Sequence, residues 1–135
     1  MDIPTGDSKE EVKVREKIIL DFYSDWKMRN PLQRRYNLSL KDYINIRSVS
    51  LTETSEHASK SYLSTLAVLQ LDALLTNAVK EKVVNPDPKS KNQNPFEKMI
   101  LMRCDLPGIG DVKLTVGVKR SNKEKVQYCI TVIRA

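Results

Sequence analysis

The chain has 135 residues, of which 40% are hydrophobic and 30% charged, with a formal net charge of +6 at pH 7. That length suits one domain able to bury about two-thirds of its unfolded surface, and the composition is that of an ordinary globular protein. No apolar run approaches the ~20 residues of a membrane span and no signal-peptide core opens the chain, so a cytoplasmic protein without a membrane partner is expected. With two cysteines and one histidine, zinc-ligand spacing is excluded. Free thiols are expected, with no disulfide, metal or cofactor.

Residues 1–7 read as a flexible tail, and residues 8–135 as a single domain. Ser8-Lys9-Glu10-Glu11 has the form of a capping box. Val12, Ile18, Ile19, Phe22, Tyr23 and Trp26 then recur at helical spacing, and Asn30-Pro31 closes the segment. A helix over about 9–29 is predicted. Short alternations from Tyr36 to Ser48 suggest one or two strands, with a hairpin turning at Lys41-Asp42. Ser50-Leu51-Thr52-Glu53 is a second capping box, expected to open a helix on which Glu53, His57, Lys60 and Ser61 share a face. A leucine-rich helical run covers about Ser64 to Val79, with a bend or break near Asp72 and Asn77. Val83-Val84 suggests the start of a strand. Residues 85–95, with three prolines among polar residues, form an exposed loop. Phe96 to Leu106 reads as a strand with Ile100, Met102 and Cys104 on one face and Leu101, Arg103 and Asp105 on the other.

The clearest pattern comes last. Residues 112–120 and 126–133 each alternate apolar and polar positions around a five-residue polar loop, which marks an antiparallel hairpin. Even positions from Val112 to Val132 make an apolar face, Tyr128 included. Lys113, Thr115, Gly117 and Lys119 make the other, beside Gln127, Cys129 and Thr131. The loop length would pair Gly117 with Cys129 and Thr115 with Thr131. Helices followed by strands imply an α+β domain, its N-terminal helices packed on one face of a C-terminal antiparallel sheet of three to five strands.

Charge and motifs narrow the function classes. Residues 1–78 hold 11 Lys+Arg and 11 Asp+Glu, whereas residues 79–135 hold 12 and 6. A basic C-terminal half suits a polyanion, although solubility alone also accounts for +6. No phosphate-binding glycine loop or nucleophile elbow is present. What remains is one histidine beside a basic, hydroxyl-bearing sheet face. Histidine moves protons near neutral pH, and cations hold phosphates and stabilise developing charge.

Ser48-x5-Thr54-x2-His57-Ala58-Ser59-Lys60-Ser61, the leucine-rich helix ending Leu74-Leu75-x-Asn77-Ala78, the strand near Met99 to Cys104, and Lys113-Leu114-Thr115-Val116-Gly117 with Tyr128-Cys129-Ile130-Thr131 carry a resemblance over roughly residues 36–134. The chain resembles the phage- and polymorphic-toxin-associated domains of the barnase–EndoU–colicin–RelE-like nuclease superfamily. That resemblance implies helices packed on an antiparallel sheet and a metal-independent RNase from a phage or mobile element. It implies His57 as general base or acid, with Lys60 or Ser61 as its helix neighbour. Lys113, Thr115 and Thr131 would face RNA, with Lys119 or Arg120 at the rim. The catalytic set expected is His57, Lys60, Lys113 and Thr131; the substrate-binding set is Ser61, Thr115, Lys119, Arg120 and Arg103.

Known members carry a second histidine that this chain lacks, which leaves the acid unassigned and keeps a non-cleaving nucleic-acid-binding module as an alternative. A further alternative is a structural or protein-interaction domain of a mobile element, with Tyr23 and Trp26 at its interface. RNA or another nucleic acid is the expected partner, and a protein inhibitor a second; no oligomeric state follows.

Overall fold

The computed structural model describes residues 2–134. Helix α1 spans Lys9–Arg29 and begins as the capping box requires, with the Ser8 hydroxyl accepting from the Glu11 amide at 3.2 Å. It ends at Asn30, before Pro31. The preceding residues lack regular structure, but the Gly6 amide donates to Glu11 and the Pro4 carbonyl accepts from Arg15. Strands β1 (Arg34–Asn37) and β2 (Asp42–Asn45) form a hairpin. Its turn covers residues 38–41, slightly before the expected Lys41-Asp42, with Lys41 at a positive φ of 53°. Next come α2 (Ser48–Ala58), α3 (Tyr62–Val68), α4 (Leu71–Asn77), β3 (Val79–Val84), β4 (Phe96–Leu106), β5 (Gly110–Lys119) and β6 (Lys125–Arg134).

Three of the expected boundaries move. Ser50 does not cap α2; it is the third helical residue. Its hydroxyl accepts from the Arg47 amide at 3.1 Å and donates to the Gln127 carbonyl at 2.5 Å, because the helix start is pinned against β6. The leucine-rich run is two helices separated at Leu69-Gln70. Val83-Val84 end β3, which starts at Val79, just after the Ala78 carbonyl that accepts from the Asn37 side-chain amide at 2.9 Å.

The sheet has six strands in the order β1-β2-β6-β5-β4-β3, not three to five, since the early hairpin joins the C-terminal strands. It is mixed: β2 runs parallel to β6 through the pair Asn45–Val126, and the other pairings are antiparallel. The ends of the sheet meet, with the Lys80 amide donating to the Ser39 hydroxyl at 3.0 Å. Nor do the helices keep to one face. Helix α2 runs along the side of β6 that β2 leaves uncovered beyond Val126, where Ser50 binds the Gln127 carbonyl and Cys129 approaches the Glu53 carbonyl. Ser64 of α3 takes the Val132 amide on the same edge.

The main core holds Ile19, Tyr23 and Trp26 of α1, leucines of α4, and Val112, Leu114, Val116, Val118 and Ile130 of the hairpin. Burying these side chains is the chief stabilising term. Tyr23 and Trp26 are therefore core residues and not an interface: both are essentially unexposed, and their polar atoms bond to Gln127 and Asp72. A smaller cluster of Phe96, Met99, Val126 and Tyr128 lies outside that core. The thiols of Cys104 and Cys129 are free, one packed on each cluster.

The hairpin register differs from that expected throughout: neither Gly117 with Cys129 nor Thr115 with Thr131 is a pair. Val116 pairs with Gln127 and Thr115 with Cys129, leaving Tyr128 as the extra residue of a β-bulge. Lys113 thus faces Thr131, and Gly117 faces Val126. The bulge inverts the alternation, turning Gln127 into the core and Tyr128 out of it. The Phe96 ring packs over Gly117, where a Cβ would sit 2.6 Å from it.

Candidate functional site

The bulge, helix α2 and the loop after β3 enclose a cleft of about 540 Å³. Lys113 and Thr115 of β5 and Cys129 and Thr131 of β6 reach it because odd positions point away from the main core. Glu53 and His57, four apart on α2, stand on one wall, and Asn85, Asp87, Ser90 and Gln93 form the other. Val84, Met99 and Leu101 supply apolar surface between them.

The α2 wall is ordered by its neighbours. Glu53 is nearly buried, with its Oε1 4.0 Å from the His57 Nε2, while the His57 side chain is 44% exposed. The Asn92 amide donates to Glu53 Oε2 at 3.1 Å, which ties the loop to the helix across the cleft. Tyr128 stands between them, its hydroxyl 3.3 Å from that of Ser90 and its ring edge-on to Phe96 at 6.1 Å. Burial, then the Glu53 carboxylate, pushes the Tyr128 phenol above its usual value, so it stays a neutral hydroxyl at physiological pH. Burial and Glu53 also push the Cys129 thiol up to about 11, which leaves it protonated and unfit as a nucleophile.

Of the residues expected to act, His57, Lys113, Thr115 and Thr131 meet in this cleft. The others do not. Lys60 is an exposed residue of the turn after α2, its amide bonded to the His57 carbonyl. Ser61 caps α3 by accepting from the Ser64 amide at 3.2 Å. Lys119 is paired with Glu124 at 3.4 Å. Arg120 holds the loop end, donating to the carbonyls of Pro95 and Asn94. Arg103 lines a neighbouring cleft of about 350 Å³ together with Lys113 and Thr131, but it is bound to Asp111 at 2.6 Å and Glu81 at 3.6 Å. The platform is accordingly far less basic than its sequence suggested: Lys113 and His57 face Glu53 and Asp87.

Comparison with known proteins finds no matching family model, curated protein or solved structure.

Sequence reading passed over three features of the site. Alternation puts Tyr128 on the apolar face, since nothing in an unbroken pattern marks a bulge. In the sequence Glu53 shows only as a helix-face neighbour of His57, and the four loop side chains only as polar residues of an exposed loop. Glu53, Glu56 and His57 also bring potential ligand atoms within 4.8 Å of one another. All three come from one stretch of α2, and Glu56 and His57 are exposed.

Proposed function

We propose that this cleft is the active site of a metal-independent RNase-like domain of a phage or mobile element, of the barnase–EndoU–colicin–RelE-like kind that the sequence resembles. The observation that carries the reading is the meeting of His57, Lys113, Thr115 and Thr131, drawn from α2, β5 and β6, in one open cleft. His57 takes the proton of the 2′-hydroxyl as that oxygen attacks phosphorus. Lys113 opposes the charge that develops on the phosphoryl oxygens, where a fixed cation stabilises the transition state more than the ground state. Thr115 and Thr131 hydrogen-bond the phosphate. The neutral Tyr128 hydroxyl is the phenolic donor available to the departing 5′ oxygen, the role left unassigned by a chain with one histidine. The Glu53 carboxylate lies 4.0 Å from the imidazole on the same helix face.

The test is cleavage of single-stranded RNA by the purified chain with a chelator present. Replacing His57 by Ala should cost about 10²–10⁴ in rate. Unchanged cleavage by that variant would sink the assignment of His57, and loss of activity in chelator would move the chemistry to a metal held by Glu53, Glu56 and His57.

One observation favours a second reading, a nucleic-acid-binding module without turnover: the cleft is lined by one histidine, with no second imidazole to serve as the acid. That reading predicts salt-dependent RNA affinity and no product from any substrate.

A further inference from the structure

The positive excess of the C-terminal half gathers mostly away from the cleft. A separate groove of about 450 Å³ is lined by Lys80, Lys98, Lys123 and Lys125, with Glu97 their acidic companion on the lining. It opens where the two ends of the sheet meet, beside the Ser39–Lys80 hydrogen bond, and no helix residue lines it. Lys123 is paired with Glu97, and Lys125 with Asp42 at 2.7 Å. Among the described residues Lys80 and Lys98 have no acidic partner, and both are exposed. The Lys123 ammonium first, and Lys98 among the others, hold the Glu97 carboxyl below its ordinary value.

Groove and cleft lie on opposite faces of the same sheet edge. On β3, Val83 lines the groove and the next residue, Val84, lines the cleft; on β4, Lys98 and Met99 divide in the same way. Between them runs β3, an edge strand exposed along most of its length. Lys80 stands on its groove side, while Lys82 lines the smaller cleft that shares Lys113 and Thr131 with the main one. The groove floor of Val83, Ile100 and Val118 offers no aromatic face and no hydrogen-bonding pattern with which to read a base. Ammonium groups around such a floor recognise phosphates without regard to sequence.

We propose that this groove is a second RNA site, which grips the phosphate backbone of a single strand that crosses the β3 edge while its scissile segment lies in the cleft. The proposal rests on the reading of RNA as the substrate. A flexible single strand can follow such a turn, whereas a stiff duplex would have to be bent at a cost.

The decisive experiment pairs Lys80→Glu/Lys98→Glu with the unaltered chain. Binding of a 2′-O-methyl single strand of about 12 nucleotides, within the length range of single-strand sites, is followed by fluorescence anisotropy across salt concentrations, alongside cleavage of a dinucleotide. The double variant should lose roughly tenfold or more in affinity for the long strand. Its log–log salt slope should flatten by about 1.4, the value for two lost contacts, and dinucleotide cleavage should hold. Lys80→Arg/Lys98→Arg should bind as the unaltered chain does. Equal affinity and slope in the charge-reversed variant would overturn the groove and leave the cleft standing. Lysine-dependent binding with no cleavage of any RNA would overturn the RNase reading and leave the groove standing. Displacement of the RNA by polyglutamate at lower concentration than by unlabelled RNA would reassign the groove to an acidic protein partner.

Discussion

Gln127 is the residue on which the site's geometry turns. Fully buried by the bulge, its side chain accepts from the Tyr23 hydroxyl at 2.6 Å and donates to the Thr54 hydroxyl at 2.8 Å, joining α1, α2 and β6. Replacing Tyr23 by Phe strands a buried amide oxygen and should cost about 1–3 kcal/mol, read from urea midpoints. Burial pushes the Tyr23 phenol well up, so it remains a donor throughout the working pH range. Gly117 makes the complementary point. Gly117→Ala drives a methyl into the Phe96 ring that supports Tyr128, and overpacking of this kind costs about 1–3 kcal/mol. Phe96→Leu in the same chain should recover part of that loss; no recovery would mean that the strain lies elsewhere. These side chains explain why the cleft was only half legible. Lys113, Thr115 and Thr131 were placed by simple alternation, and His57 by helical spacing. Tyr128 was not, because Val-Gln-Tyr-Cys-Ile-Thr reads as an unbroken period-two pattern whether or not one residue is squeezed out of register. Gln127 gives no hint either, since it falls among the polar positions of that pattern.

At the scale of elements, local signals and long-range ones parted company. Helix α1 and strand β4 could be bounded from the sequence because caps and prolines act within a few residues. Helix α2 could not, because its start is set by a strand 77 positions away through the Ser50 hydroxyl. Ser50→Ala should therefore destabilise the fold by about 1–3 kcal/mol through the unpaired Gln127 carbonyl while leaving helix content in circular dichroism unchanged; a loss of helix would restore Ser50 as a cap. The early hairpin is tied to β6 by charge. The Lys125 ammonium holds the Asp42 carboxyl below its ordinary value. Burial raises Glu124, but Arg47, at 2.5 Å, and Lys119 outweigh it and leave that carboxyl lowered too. A carboxyl lowered in the folded state contributes stability in full above its unfolded value and loses it as pH falls through the folded one. The urea midpoint should thus decline as pH drops below about 4.5, and Asp42→Asn with Glu124→Gln should shrink that decline. An unchanged acid profile would show that the two ties are worthless.

Taken whole, the molecule is an α+β domain whose sheet bends until its ends touch. Among the described residues no helix is long and apolar enough to cross a membrane. The segregation of helices and strands was visible in periodicity, since each element announces its own repeat. Strand order was not visible, because nothing local says that β2 will lie parallel to β6 or that Ser39 will meet Lys80. The same order sets the timing of the cleft. Its α2 wall is made early in synthesis, but Tyr128, Thr131 and the bulge arrive only with β6, and that strand also completes the central pairing of the sheet. Until β6 takes its place between the hairpin and β5, the α2 wall and the β5 residues have no strand to hold them to one cleft.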